Sequence, residues 1–83
     1  MPCTYCGSKW HTEKDHVTAE SKGGMVTVDA CRPCNRSKGD KSLTEWLRDI
    51  KENDKYRWRR IKEYNYGRKN SIAKEVQKIR DEK

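Results

Sequence analysis

Two Cys-x-x-Cys pairs, "CTYC" at 3–6 and "CRPC" at 31–34, constrain this chain more than any other feature. Each pair can turn two thiolates toward one ion at about 2.3 Å, and two such knuckles complete the tetrahedron that Zn²⁺ accepts. Four thiolates leave no open position for water, so a structural zinc, one per chain, is expected. Disulfides or an iron–sulfur centre are the alternatives for the same cysteines. The chain needs such a cross-link: only 31% of its 83 residues are hydrophobic, 40% are charged and there is no Phe. A domain of this size buries too little surface to be stable on packing alone. Ordering each residue costs roughly 1–2 kcal/mol of backbone entropy, whereas a zinc site in a small peptide contributes about 10–16 kcal/mol.

Met1-Pro2 runs straight into Cys3, and no apolar stretch approaches the roughly 20 residues of a membrane span. A cytoplasmic protein with no membrane association is expected, in a host cytoplasm if the chain is viral. A reducing compartment favours metal over disulfide. Twenty Lys and Arg against 13 Asp and Glu give a formal net charge of +7. That excess points to a polyanionic partner, because cationic side chains gain free energy by releasing counterions condensed on nucleic acid.

The chain changes character after Lys41. Residues 1–41 hold all four cysteines, both prolines and four of the five glycines. "WHTEKDHV" and "MVTVDA" have strand-like character and flank the turn signal Ser21-Lys22-Gly23-Gly24. Pro33 suits the first turn of a helix that Gly39 ends. In residues 42–83, Ser42 and Glu45 have capping-box spacing ahead of Leu43, Trp46, Leu47 and Ile50, which fall on one helical face over about 43–51. Asn53 or Asp54 caps a second helix through "KYRWRRIKEY", and Asn70 or Ser71 starts a third carrying Ile72, Val76 and Ile79, a thin stripe expected to fray. The expected fold is α+β, with 1–41 a zinc-bound ββα core and 42–83 a basic helical extension packed on or beside it, a single domain overall.

The cysteines leave Asp15, His16 and Asn35 unexplained. Asn35 follows Cys34 directly, so a metal at the cysteines fixes its position, while Asp15 and His16 end the first strand. With the helix packed across the hairpin, Asp15 and Asn35 can hold one hard cation, Mg²⁺ or Mn²⁺, and leave its other positions to water and phosphate oxygens. His16, with an ordinary pKa of about 6.5, can take a proton from water as general base. Adjacent strand residues face opposite ways, so both reach one phosphate only where the strand ends or distorts.

Taken together, "CTYC", "DHVTAESKGG" and "CRPCNRSKGD" resemble the HNH endonucleases, the ββα-metal nuclease superfamily, in its four-cysteine zinc-containing branch. The resemblance covers roughly residues 3–40. It implies that Asp15 and Asn35 bind the catalytic divalent ion, that His16 activates the attacking water, that Cys3, Cys6, Cys31 and Cys34 hold zinc, and that hydrolysis leaves a 5′-phosphate and a 3′-hydroxyl. One departure stands out: where the family carries a middle Asn or His on the second strand, this chain has Val26, and Asp29 is the substitute available to tether the loop. His11 has a surface, zinc-supporting or site-assisting role.

The expected function is a divalent-metal-dependent DNA endonuclease acting on double-stranded DNA by nicking or double-strand cleavage. Cutting both strands takes a homodimer or successive nicks, and a third reading has the C-terminal helices dock a larger protein partner as an interaction subunit. Arg36 and Lys38, with Lys55, Arg57, Arg59, Arg60 and Lys62 on the second C-terminal helix, are the candidate nucleic-acid contacts. Tyr56 and Trp58 are assigned to the core, because so apolar-poor a chain needs its aromatics there. The rival reading is a non-catalytic zinc-containing module that binds nucleic acid, which has no use for Asp15 and Asn35.

Overall fold

The computed structural model describes residues 2–17 and 27–82. The elements are β1 (Thr12–His16), β2 (Thr27–Cys31), α1 (Arg32–Lys38), α2 (Leu43–Asn53), α3 (Lys55–Asn65) and α4 (Ser71–Asp81). The expected turn at Ser21–Gly24, and Val26, lie outside the described residues.

β1 and β2 pair antiparallel, with Thr12 opposite Cys31 and Asp15 opposite Val28. Side chains alternate along a strand, so this register puts Glu13 and Asp15 on one face of β1. α1 follows β2 without a linker, because Pro33 needs no hydrogen bond in a first turn and the Arg32 N–H is satisfied by the His11 carbonyl at 3.0 Å. It ends at Gly39, whose φ of +57° is a left-handed conformation that costs a glycine least. The strand–strand–helix order agrees with the sequence expectation, and the result is a small α+β fold with a two-stranded sheet.

Each of the three following helices begins on a side-chain cap. Ser42 accepts from the Glu45 N–H, Asp54 from the Arg57 N–H and Asn70 from the Ala73 N–H. These bonds satisfy helix-end donors that otherwise lack partners. α2 runs two residues beyond the expected Lys51 and buries Leu43, Trp46, Leu47 and Ile50.

α4 is better anchored than its thin stripe suggested. Ile72, Ala73, Val76 and Ile79 are all buried. Lys51 Nζ donates to the Ile79 and Glu82 carbonyls at 2.6 and 2.8 Å, and Arg48 binds the Glu82 carboxylate through two hydrogen bonds. A cation on the exposed carbonyls of a helix end opposes fraying.

One cluster of buried side chains runs from Cys3, Tyr5 and Cys6 through Trp46 and Ile61 to Ile79. The cysteine half and the helical half therefore share a core. Trp58 is in it, as expected, but Tyr56 is 72% exposed: at 100° per residue it lies about 200° around α3 from Trp58, on the far face.

Candidate metal centre and oxygen-lined recess

The first knuckle is a tight turn held by Cys3 N–H on the Ser8 carbonyl and Gly7 N–H on the Cys3 carbonyl, with Thr4 N–H tying it to the Asp29 carbonyl of β2. Gly7 has φ +80°, and a Cβ there would run into the Tyr64 ring of α3. The second knuckle spans the β2–α1 junction. Between them the four sulfurs converge: all are buried, all lie within 4.8 Å of one another, and Cys6 Sγ is 3.7 Å from Cys31 Sγ. Four sulfurs about 2.3 Å from a common centre stand about 3.8 Å apart when tetrahedral. The spacing is consistent with one structural zinc and far too long for a disulfide.

The thiols respond to one another's charge. Hydrogen bonds from Cys34 and Cys6 hold the Cys3 thiol well below its ordinary range, burial pushes Cys31 up to about 11, and the bond to Cys3 drives Cys34 up. Without a cation, then, the Cys3 thiolate is stabilised by its neighbours, while Cys31 and Cys34 are pushed toward their protonated forms. A divalent cation removes that restriction, since bound thiols are deprotonated outright.

Arg57 supplies a positive charge from outside the cluster. Its Nη1 donates to Cys34 Sγ at 3.2 Å and its Nε lies 3.4 Å from the Asp54 carboxylate. Burial works against its charge, but the field of Cys34 and the bond to it prevail and hold its pKa above the ordinary value. Arg57, expected from sequence as a nucleic-acid contact, turns its guanidinium inward to the sulfurs.

Asp15, His16, Asn35 and Lys38 line one recess of about 210 Å³ with Lys14, Gly39 and Asp40. Adjacent Asp15 and His16 both border the recess although His16, the last residue of β1, is still paired with Thr27. Asp15 is only 5% exposed; its Oδ2 accepts from the Tyr5 hydroxyl at 2.6 Å and lies 3.4 Å from Lys38 Nζ. Burial, followed by the bond to Asp15, pushes the Tyr5 phenol above its usual range, so it remains a donor. Asn35 Nδ2 donates to Glu13 Oε1 at 2.9 Å, which directs the amide oxygen away from Glu13. That amide bond, with Arg32 and Arg36 adding to it, holds the Glu13 carboxyl below the usual carboxylate value.

Lys38, read from sequence as a phosphate contact, is 1% exposed, and besides approaching Asp15 it donates to the His16 carbonyl at 2.5 Å. Asp29 pairs with Lys14 across the hairpin at 2.8 Å. His11 is exposed, edge-on to Trp10 and not part of the recess. Arg36 is exposed, as are Lys55, Arg59 and Arg60 on α3. Lys62 lies over the Trp58 ring. Arg59 and Lys62 border a separate open groove of about 620 Å³ with Glu63, Tyr66 and Arg80.

The sequence reading missed Tyr5 and Glu13, the partners of Asp15 and Asn35. Glu13 had a usable signal, since it lies two residues before Asp15 and so on the same strand face. Among the described residues no helix is long and apolar enough to cross a membrane. No protein-family model matches the chain, and no curated protein or solved structure gives a significant match to it.

Proposed function

We propose that the chain is a divalent-metal-dependent DNA endonuclease of the HNH type, built on a structural zinc held by Cys3, Cys6, Cys31 and Cys34. The observation that carries this reading is the meeting of Asp15, His16 and Asn35 at one recess, as residues separated by up to 20 positions would not do without cause. The donor set suits the ion: a carboxylate oxygen and an amide oxygen are the hard ligands Mg²⁺ or Mn²⁺ takes, with water and phosphate completing the shell. When bound, the ion supplies charge stabilisation to the phosphate oxygens and the leaving 3′-oxygen.

The chain's own residues do the rest. Asp15 and Asn35 hold the ion, each fixed by a hydrogen bond from or to a neighbour. His16 accepts a proton from the water that attacks phosphorus in line. His16 is half-buried and borders the recess at the end of β1. The exposed cations Arg36, Lys55, Arg59 and Arg60 are phosphate contacts in this reading and carry no base selectivity.

A second reading draws on the Asp15 environment itself. A buried carboxylate with a tyrosine donor and a lysine counter-ion is also what a purely structural acid looks like, and it favours a non-catalytic zinc module that binds nucleic acid. Incubation with supercoiled plasmid and Mg²⁺ or Mn²⁺ separates the two. The nuclease reading expects nicked circles from wild type and loss of nicking in His16→Ala. Tight plasmid binding with no cut, or His16→Ala cutting at the wild-type rate, refutes it.

A further inference from the structure

Among the described residues, both partners of the Asp15 carboxylate fall on the same oxygen. Tyr5 donates its hydroxyl proton to Oδ2 at 2.6 Å, Lys38 Nζ stands 3.4 Å from Oδ2, and no described residue donates to Oδ1. The short O–H···O⁻ distance is that of a charge-assisted bond, about twice as strong as a neutral one.

Tyr5 has little freedom to give way. It is fully buried and packs edge-on against Trp46 with centroids 4.9 Å apart. Its backbone carbonyl accepts from Asn65 Nδ2 at 2.8 Å. In sequence it stands between Cys3 and Cys6, so the turn that presents two thiolates to zinc also aims the phenol at the recess. Lys38 reaches the same oxygen from α1 while its bond to the His16 carbonyl fixes the end of β1. Asn35 is treated alike: its amide nitrogen is bound by Glu13 and its oxygen is left over.

Resting on the endonuclease reading, we infer that Tyr5 is a positioning residue: its hydroxyl clamps Oδ2 of Asp15 so that Oδ1 alone is offered to a divalent cation, and the zinc knuckle thereby sets the geometry of the oxygen site. The cation is then bound by one Asp15 oxygen, which leaves more of its coordination shell to phosphate and water than a two-oxygen grip would.

The test is Tyr5→Phe in the full zinc-loaded chain, a change that keeps the ring and removes only the hydroxyl. Isothermal titration with MnCl₂ reads the oxygen site directly, and metal analysis reads the zinc. Partners of metal ligands typically govern affinity by 10–100-fold, so Mn²⁺ binding weakens about 10-fold in Tyr5→Phe while zinc stays at one per chain. The Mn²⁺ concentration for half-maximal nicking rises by the same factor, and the rate at saturating Mn²⁺ falls, because a freed Oδ2 competes with phosphate and water for the cation's shell. An unchanged Mn²⁺ affinity in Tyr5→Phe, with binding lost in Asp15→Ala, overturns the inference and leaves the nuclease reading standing. Wild type that takes up no Mn²⁺ and cuts nothing overturns both.

A measurement on wild type alone covers the case in which Tyr5→Phe loads zinc poorly. The buried Tyr5 hydroxyl proton should give a slowly exchanging proton resonance that persists at saturating Mg²⁺. Its disappearance on Mg²⁺ addition means the cation has taken Oδ2 as well, and the clamp is refuted.

Discussion

Stripping the metal from the cysteine cluster should unfold the helical half of the chain along with the cysteine half. At about 0.05–0.15 kcal/mol per residue, 83 residues are stable by about 4–12 kcal/mol in total. A tetrathiolate zinc site is worth about 10–16 kcal/mol, so its loss removes as much as the whole fold has. The loss is not confined to residues 1–41, because α3 is attached to the cluster at three points: Arg57 on Cys34 Sγ, Asn65 on the Tyr5 carbonyl, and Tyr64 against Gly7. The four cysteines belong to the same buried cluster as Trp46, Ile61 and Ile79. Most of the helix lies in α2, α3 and α4, so circular dichroism at 222 nm reports mainly on residues far along the chain from the ligands. Addition of a strong zinc chelator under reducing conditions should abolish most of that signal, and restoring zinc should recover it. A chelated chain that keeps its full helical signal and melts cooperatively would show that α2–α4 stand on their own packing, and the shared-core argument would be refuted.

Gly7→Ala should destabilise the zinc-loaded protein by about 2 kcal/mol or more, since a left-handed φ costs an L-residue roughly 1–2 kcal/mol and the new methyl must also displace the Tyr64 ring; a denaturant midpoint equal to wild type would contradict the docking of the knuckle on α3. Thermal stability should fall with acid: Asn35 holds Glu13, Lys14 holds Asp29 and Arg48 holds Glu82 below their ordinary values. Carboxyls depressed by folding add stability above about pH 4, where the unfolded forms titrate, and lose it as pH drops through the lower folded values. Protonation of zinc-bound thiolates acts in the same direction, so a melting temperature that rises between pH 6 and pH 3 would overturn the assignment of these pairs.

The elements legible from sequence are those in which spacing alone imposes a geometry. Two Cys-x-x-Cys pairs have few ways to meet, and Pro33 and Gly39 bracket α1 by their backbone chemistry. Asn35 was legible because it is chained to Cys34. The long cations were not. Lys38, Arg57 and Arg59 look alike in a basic helix, yet Lys38 is buried against Asp15, Arg57 turns to sulfur and Arg59 pairs with Glu63 in solvent. Which way a flexible cation turns depends on the anion the fold brings near it, and that is a tertiary fact. Asn65 was hidden for the converse reason: it continues the Trp58, Ile61 stripe of α3, but a polar residue there reads as an interruption until the Tyr5 carbonyl is seen beside it.

A chain so poor in apolar residues has to let its polar groups do part of the work of a core, and this changes how its charges should be interpreted. Arg57 neutralises part of a cluster that carries four thiolates when loaded, Lys38 meets a buried carboxylate, and Lys51 closes the end of α4. Each reaches an anion or carbonyl that few other described side chains satisfy, so removing one leaves a partner desolvated and unpaired, the costly outcome for a buried polar group. The net charge of +7 counts no thiolate, so a loaded cluster of four thiolates and one divalent cation lowers it by two. In the proposed reading, the candidate cations that stay exposed to meet a polyanion include Arg36 on α1 and Lys55, Arg59 and Arg60 along α3. If the proposed nucleic-acid reading holds, substitution of that exposed group should lower affinity and leave folding intact, whereas substitution of the inward group should disturb folding.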